Sequence, residues 1–195
     1  MRDVLSEYLS QDMPRPTKSE IDADIIDQAA ALFARHGFEH TSLQQIADAA
    51  NYSKAGLLHH YPSKKALYEK VLSTGVDQMR GILASVQGIP LGAERDRAVI
   101  EATVHLTFEW PGMAAFGNRL GQLEQTVEPA LTEMGLILYS ALGINLMSGD
   151  IGRLIRVTVA FSGLGATAAV AARLDLKRDW FNDIVDAAMN ALGHK

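Results

Sequence analysis

The chain has 195 residues, no cysteine and a formal net charge of -5. This length suits one domain, or two small domains that share a helix, and it excludes a large multidomain enzyme. The absence of cysteine excludes disulfides, thiolate zinc sites, iron–sulfur clusters and cysteine nucleophiles. An acidic protein has little general affinity for nucleic acid, so the positions of its basic residues matter more than their number.

Residues 1–18 are predicted to form a flexible arm, because Pro14 and Pro16 disfavour a helix there. Asp3 and Glu7 interrupt the basic-then-apolar pattern of a signal peptide. We find no stretch that approaches the ~18 uncharged apolar residues of a membrane helix. We therefore expect a cytoplasmic protein without a membrane partner.

The helical part of the chain begins near Ser19. Apolar residues from Ile25 to Phe33 recur at helical spacing on one stripe, and Gly37 is suited to end this helix after His36. Helix signals dominate from here onward, and no pair of alternating strand patterns joined by a tight turn follows. The sequence therefore predicts an all-α protein.

Two short helices follow the first. Thr41 and Ser42, with glutamines three residues later, form a capping box for a helix over about residues 42–49. Ser53 caps a third helix, which ends before Pro62. Two short helices joined by a turn of three or four residues and packed on a longer helix make a helix-turn-helix. We predict such a DNA-binding head over residues 19–66, with the third helix facing a major groove.

Basic charge is concentrated in this head. Residues 51–70 carry four basic side chains and one acidic one, whereas residues 1–50 and 71–195 carry net charges of -5 and -3. The lysines of the third helix and of the start of the fourth are therefore placed where DNA phosphates would lie.

The runs Ile25–Phe38, Thr41–Ala50 and Ser53–Leu67 resemble the DNA-binding helices of the TetR family of transcriptional regulators, over about residues 21–72. The resemblance implies a helical ligand-binding and dimerisation body over residues 67–195. It also implies DNA contacts from these residues: Thr41, Ser42, Lys54, Ala55, Gly56, Leu58, His59, His60 and Lys64. Lys54 is the best candidate for a contact to guanine. Leu58 stands where the family often has tyrosine, and Ala55-Gly56 where it commonly has glycine followed by threonine or alanine.

Beyond the head, apolar periodicity predicts helices over about residues 65–86, 93–109, 113–125, 127–143, 150–173 and 177–192. The resemblance implies that the last two form a four-helix bundle across a twofold axis, with these candidate contacts: Ile155, Val159, Ser162, Gly163, Ala166, Val170, Phe181, Ile184, Val185 and Ala188. A homodimer is also what reading a palindrome requires, since two recognition helices must lie about 34–36 Å apart.

The middle helices contain a candidate ligand site, because they combine aromatic residues with a few polar groups. Its members are His105, Phe108, Glu109, Trp110, Met113, Phe116, Asn118, Arg119 and Gln122. The sequence indicates no cofactor and no metal site. Adjacent His59 and His60 point ~100° apart on a helix, and His105 with Glu109 lacks a third ligand.

These features predict a ligand-responsive, dimeric DNA-binding regulator, a repressor released from a palindromic operator by a small molecule. An activator, or a DNA-binding protein of low specificity with the same fold, is the alternative. A small helical enzyme using His105 and Glu109 as an acid–base pair is a third hypothesis. Neither a nucleophile motif nor a glycine-rich phosphate loop accompanies that pair, so we predict that the protein is not an enzyme.

Overall fold

The computed structural model describes residues 17–121 and 128–194, so residues 1–16 of the predicted arm lie outside it. Within the described residues the chain is helical and contains no strand, as predicted. The helices are α1 (Lys18–His36), α2 (Leu43–Ala49), α3 (Lys54–His60), α4 (Lys64–Val86), α5 (Ala93–Glu109), α6 (Pro111–Gly121), α7 (Pro129–Ala141), α8 (Ile151–Arg173) and α9 (Lys177–Leu192), with a 3-10 turn at Leu146–Ser148.

Short-range capping sets the starts of the first helices. Ser42 and Gln45 form the predicted capping box at α2. The hydroxyl oxygens of Ser53 and Ser63 accept hydrogen bonds from backbone N–H groups at the starts of α3 and α4. Thr17 and Glu20 make another capping box at α1, which the sequence interpretation missed by starting the helix near Ser19.

The connections in the head also follow from local chemistry. Gly37 ends α1 with a φ of 79°, which favours glycine. The turn from α2 to α3 holds Asn51 at a φ of 53°, which asparagine tolerates better than most residues. The first three helices therefore form the predicted helix-turn-helix.

The core of this head extends beyond residue 66. Phe33 of α1, Ile46 of α2 and Leu57 of α3 are buried together with Leu67 of α4 and Phe116 of α6. The Phe33 and Phe116 rings both pack against Tyr68, with centroids 5.2 and 5.7 Å away. Helices α4 and α6 thus belong to the head as well as to the body, and a boundary at residue 66 cuts through one packed unit.

A second core joins the far half of α4 with α5, α7, α8 and α9. Buried Asp96 of α5 ties this body together, because Arg153 Nη2 and His194 Nε2 lie 2.5 and 2.6 Å from its Oδ2. These pairs hold the start of α8 and the end of α9 against α5.

Helix α8 is long and apolar enough to cross a membrane by length and composition alone, with a mean hydropathy of 1.6 over its best window. This corrects the expectation that no such stretch exists, because Arg153 and Arg156 lie in the first two turns of α8 and Arg173 is its last residue, which leaves the helix between them uncharged. A third of that window is buried against the rest of the chain. A helix that packs in the core of a soluble protein meets the same criterion.

Candidate nucleic-acid interface and internal cavity

Helix α3 has one side buried in the core of the head, and its polar residues are exposed to solvent. Leu57 is fully buried beneath α1 and α2. Lys54, Ala55 and His59 are exposed, and Leu58 is 39% exposed. Lys54 is the first residue of this helix. Of the predicted DNA contacts, Ser42, Lys54, Ala55, Leu58 and His59 are exposed.

Two predicted contact residues of α3 face inward instead. An added Cβ at Gly56 would meet the Tyr52 ring at 2.8 Å, so this glycine lets the tyrosine pack against α3. His60 is half-buried, with its Nδ1 3.2 Å from Asp22 Oδ1 of α1. Burial raises the pKa of neighbouring Tyr61 to about 12, and the charge of Asp22 contributes a smaller part of this increase. Gly56 and His60, which were predicted to contact DNA, therefore also contribute to the packing of the head.

The Thr41 side chain, which was predicted to contact a phosphate, lies inside the head in this structure. Thr41 is 2% exposed, and its hydroxyl donates to the carbonyl oxygen of Gly37 at 2.8 Å and is 3.3 Å from that of Leu32. Its hydroxyl thus stabilises the loop between α1 and α2.

Lys64 is also turned into the head. Its ammonium donates to the carbonyl oxygens of Phe38 at 2.7 Å and Glu39 at 3.2 Å, and it lies 4.4 Å from the centre of the Phe38 ring. The side chain that extends into solvent at this place is that of Lys65, which is 79% exposed and only 3.8 Å from Glu69. Lys64 is therefore part of the packed head, whereas Lys65 is a surface residue.

Lys64→Met is expected to lower the free energy of unfolding by about 1–3 kcal/mol, because two carbonyl oxygens lose a charged donor. Lys65→Met is the matched control, and it should change stability by less than about 0.5 kcal/mol. Urea unfolding followed by circular dichroism measures both. Equal losses in the two variants would show that Lys64 has no special structural role.

A cavity of about 270 Å³ lies between α4, α5, α6, α7 and α8. Its wall is mostly apolar and includes Met79, Met113 and Met134, whose flexible side chains adapt to irregular shapes. The polar residues of the lining are Gln78, Thr103, Thr107, Trp110 and Asn118, and none of the described lining residues is charged. Such a wall suits an apolar molecule with few polar groups.

The sequence predicted only some of the residues that line this cavity. Trp110, Met113, Phe116 and Asn118 do line the cavity. His105 and Glu109 are exposed on another face of α5, and His105 stacks on Phe181 with ring centroids 4.6 Å apart. Phe108 is buried in the body core and Arg119 is exposed, so neither reaches the cavity. Gln122 lies outside the described residues.

The residues that sequence reasoning missed include Thr103 and Thr107 of α5 and a larger group on α4, α7 and α8, among them Gln78, Met134 and Phe161. The prediction treated α4 as a link between head and body. Gln78 stands between Asp77 and Met79 with Arg80 next, so its neighbours in the chain gave no signal that it faces a cavity. Within the described residues, no group of three histidine or acidic side chains is arranged to hold a metal ion.

Asp27 of α1 joins the head directly to the cavity wall. Its carboxylate oxygens accept hydrogen bonds from the backbone N–H groups of Gly112 at 3.0 Å and Met113 at 2.9 Å, at the start of α6. Burial raises the pKa of this carboxyl above its usual value, although the two N–H groups act in the opposite direction. A Cβ at Gly112 would overlap the carbonyl oxygen of Asp27, so only glycine permits this approach.

Helices α8 and α9 leave an apolar surface in solvent. Ile151, Ile155 and Val159 are 58–67% exposed on α8. Beside them a shallow groove of about 450 Å³ is lined by small residues such as Gly163 and Ala187. Ile184, Val185 and Ala188, which were predicted to contribute to the dimer face, are buried in the protomer's own core, and Ile184 and Ala188 also line this groove.

The comparisons with known proteins agree with this architecture. The family model described as "Bacterial regulatory proteins, tetR family" matches residues 25–71. The HTH-type transcriptional repressor KstR2 of Rhodococcus jostii is 33% identical over 92 residues, which are 47% of this chain and 44% of that protein. The match thus spans less than half the length of this relative.

Two solved structures share the fold over nearly the whole chain. A TetR-like transcriptional regulator from Rhodococcus sp. RHA1 has a TM-score of 0.60 and 18% identity, covering 93% of this chain and 100% of its own. AibR, solved in complex with isovaleryl coenzyme A and operator DNA, has a TM-score of 0.52 and 22% identity, covering 89% and 98%. At these identities the likeness concerns the fold.

Proposed function

We propose that the chain is a member of the TetR family of bacterial regulatory proteins, whose family model matches its residues 25–71, and that it is a dimeric, ligand-responsive transcriptional repressor that works in the cytoplasm. Repression is supported by the relative KstR2, which is named as a transcriptional repressor. The ligand-responsive part is supported by AibR, which was solved with both a small molecule and operator DNA.

The observation that carries this proposal is the geometry of α3. A short helix with one fully buried residue, Leu57, exposes Ala55 and His59 on the opposite side and Lys54 in its first turn. A helix held in this way by a helix-turn-helix enters a major groove with its N-terminal residues nearest the bases. Lys54 is then the residue that reaches a guanine edge or a phosphate, while Ser42 and Lys65 approach the backbone.

The exposed face of α8 supports a homodimer. Ile155 and Val159 give a monomer an apolar surface next to a groove, and such surfaces usually mark a contact with another chain. A twofold axis through α8 and α9 would pair this face with its own copy and carry two heads, as a palindromic operator requires.

Release from DNA follows from the connection between cavity and head. Met113 and Phe116 line the cavity and are also buried in the head core, and Asp27 holds the first amides of the same helix. A molecule bound in the cavity therefore favours positions of α6 that carry α1 with it. If those positions set the two heads at the wrong spacing, operator affinity falls through differential binding of the two states.

Lys54→Ala tests the DNA interface. The probe is a duplex with an inverted repeat, selected by the wild-type protein from a randomised pool and followed by fluorescence anisotropy. We expect the affinity to fall about tenfold or more, because each base contact of this kind contributes about 1–3 kcal/mol. If Lys54 binds phosphates instead, the salt dependence should become shallower by about 0.9 per lost contact.

Arg178→Ala is the control for this experiment, since it removes a positive charge from an exposed site on α9 in the body. It should leave the affinity and the salt dependence unchanged. A wild-type protein that selects no duplex even at ~50 mM salt would refute the function. Equal affinity of the Lys54 and Arg178 variants would refute the interface on α3.

A further inference from the structure

One polar residue of the cavity, Gln78, has an unsatisfied hydrogen-bond donor. It lies on α4 in the cavity lining, and its amide nitrogen is buried without a hydrogen-bond partner. A buried N–H donor left unpaired costs about 1–3 kcal/mol, so native proteins rarely keep one without a purpose. An amide nitrogen on a flexible side chain at the cavity wall can satisfy this need with an acceptor atom of a bound molecule.

The threonine hydroxyls of the wall offer a ligand no further hydrogen-bond donor. The hydroxyls of Thr103 and Thr107 donate to carbonyl oxygens of their own helix, at 2.8 and 2.9 Å, so they have no proton left to give. Among the described lining residues none carries a charge. The phosphates of a coenzyme A or the carboxylate of a fatty acid would therefore lose water without gaining a cation in return.

We propose that the cavity binds a neutral, mainly apolar small molecule that carries one carbonyl group, and that Gln78 donates the hydrogen bond that recognises this carbonyl. This inference rests on the proposed function and defines the chemical class of its ligand. The volume of about 270 Å³ lies just below the usual range of about 300–1,000 Å³ for small-molecule sites, so the molecule is compact.

The test compares two probes that differ in one group. Valerophenone is a neutral aryl ketone, and pentylbenzene has a methylene group in place of its carbonyl. Both are titrated into the full chain by isothermal calorimetry in the absence of DNA. Gln78→Leu should weaken ketone binding about tenfold, the effect of losing one buried hydrogen bond, and should leave pentylbenzene binding within about twofold.

Gln87→Leu is the matched control, because Gln87 is exposed at the end of the same helix and does not line the cavity. It should change neither affinity. Gln78→Met serves as a second variant if the leucine variant does not fold. The inference is overturned if Gln78→Leu weakens the binding of both probes equally or changes the binding of neither. It is also overturned if the wild type does not bind the ketone, or if a charged probe, 5-phenylvalerate or isovaleryl coenzyme A, binds more tightly than the ketone.

These outcomes separate this inference from the proposed function. A protein that binds the ketone through Gln78 but selects no duplex refutes DNA binding and leaves the ligand site standing. A protein that selects a duplex but does not bind the ketone refutes the ligand class and leaves the regulator standing.

Discussion

Val159→Glu is expected to convert the protein into a monomer and to lower its affinity for a palindromic duplex by about a hundredfold or more. Val159 is 59% exposed and lies at the edge of the groove between α8 and α9. In a twofold interface the substitution would bury two carboxylates near each other without a partner, which is strongly unfavourable. The two heads would then bind separately and lose the gain of about 10²–10⁴ that comes from linking two sites.

Light scattering measures the mass against the 21.2 kDa of one chain, and anisotropy measures duplex binding. Leu136→Glu is the matched control, since Leu136 is a half-exposed apolar residue on α7, away from this face. It should remain dimeric and bind DNA like the wild type. A wild-type protein that is monomeric at micromolar concentration, or a Val159 variant that stays dimeric, would place the twofold contact elsewhere or remove it.

Gly112→Ala is expected to lower the free energy of unfolding by about 3 kcal/mol, the upper end of the usual cost of overpacking. The new methyl group would overlap the carbonyl oxygen of Asp27, and this backbone atom cannot move alone. Relief requires α6 to separate from α1, which weakens the hydrogen bonds from Gly112 and Met113 to the Asp27 carboxylate.

Thermal unfolding compares this variant with Gly81→Ala, the same substitution within α4. Gly81 is exposed, and an added Cβ there meets no atom within 4 Å. The control should be as stable as the wild type or gain up to about 1 kcal/mol from alanine's higher helix propensity. If both variants are equally stable, the close approach of α1 and α6 is not a constraint on the protein.

This contact also gives the proposed regulation a physical path. A molecule in the cavity touches α6, and α6 is held to the first helix of the head by a carboxylate and by shared aromatic packing. A folded Gly112 variant should therefore show a changed effect of any cavity ligand on duplex affinity, whereas the Gly81 variant should respond like the wild type. Coupling of this kind is a difference in affinity between two states, so it is measured as a ratio of dissociation constants.

Much of the secondary structure could be predicted because its signals are local. Ser42, Ser53 and Ser63 begin helices by accepting bonds from amides three residues ahead, and Gly37 ends one by its own backbone freedom. None of these interactions depends on a distant part of the chain. The break near Trp110 was predicted as well, although α6 begins already at Pro111, which is favoured in the first turn of a helix.

The orientation of individual side chains was less predictable. Lys64 has the residue type and the position expected of a DNA contact. Its ammonium group instead donates to carbonyl oxygens of residues that lie 25 and 26 positions earlier in the chain. His60 meets Asp22 on another helix in the same way. Lys65 had the same residue type and almost the same position, so sequence could not decide which of the two lysines would remain in solvent.

The amino-acid sequence by itself determined the order of the helices, the helix-turn-helix and the basic charge on its third helix, because caps, periodicity and charge act between neighbours in the chain. Only the tertiary structure decided which faces of α4, α5 and α8 enclose the cavity and which meet solvent. Each of these helices packs against several others, and the direction of a side chain such as Gln78 or His105 depends on helix rotations that distant partners set.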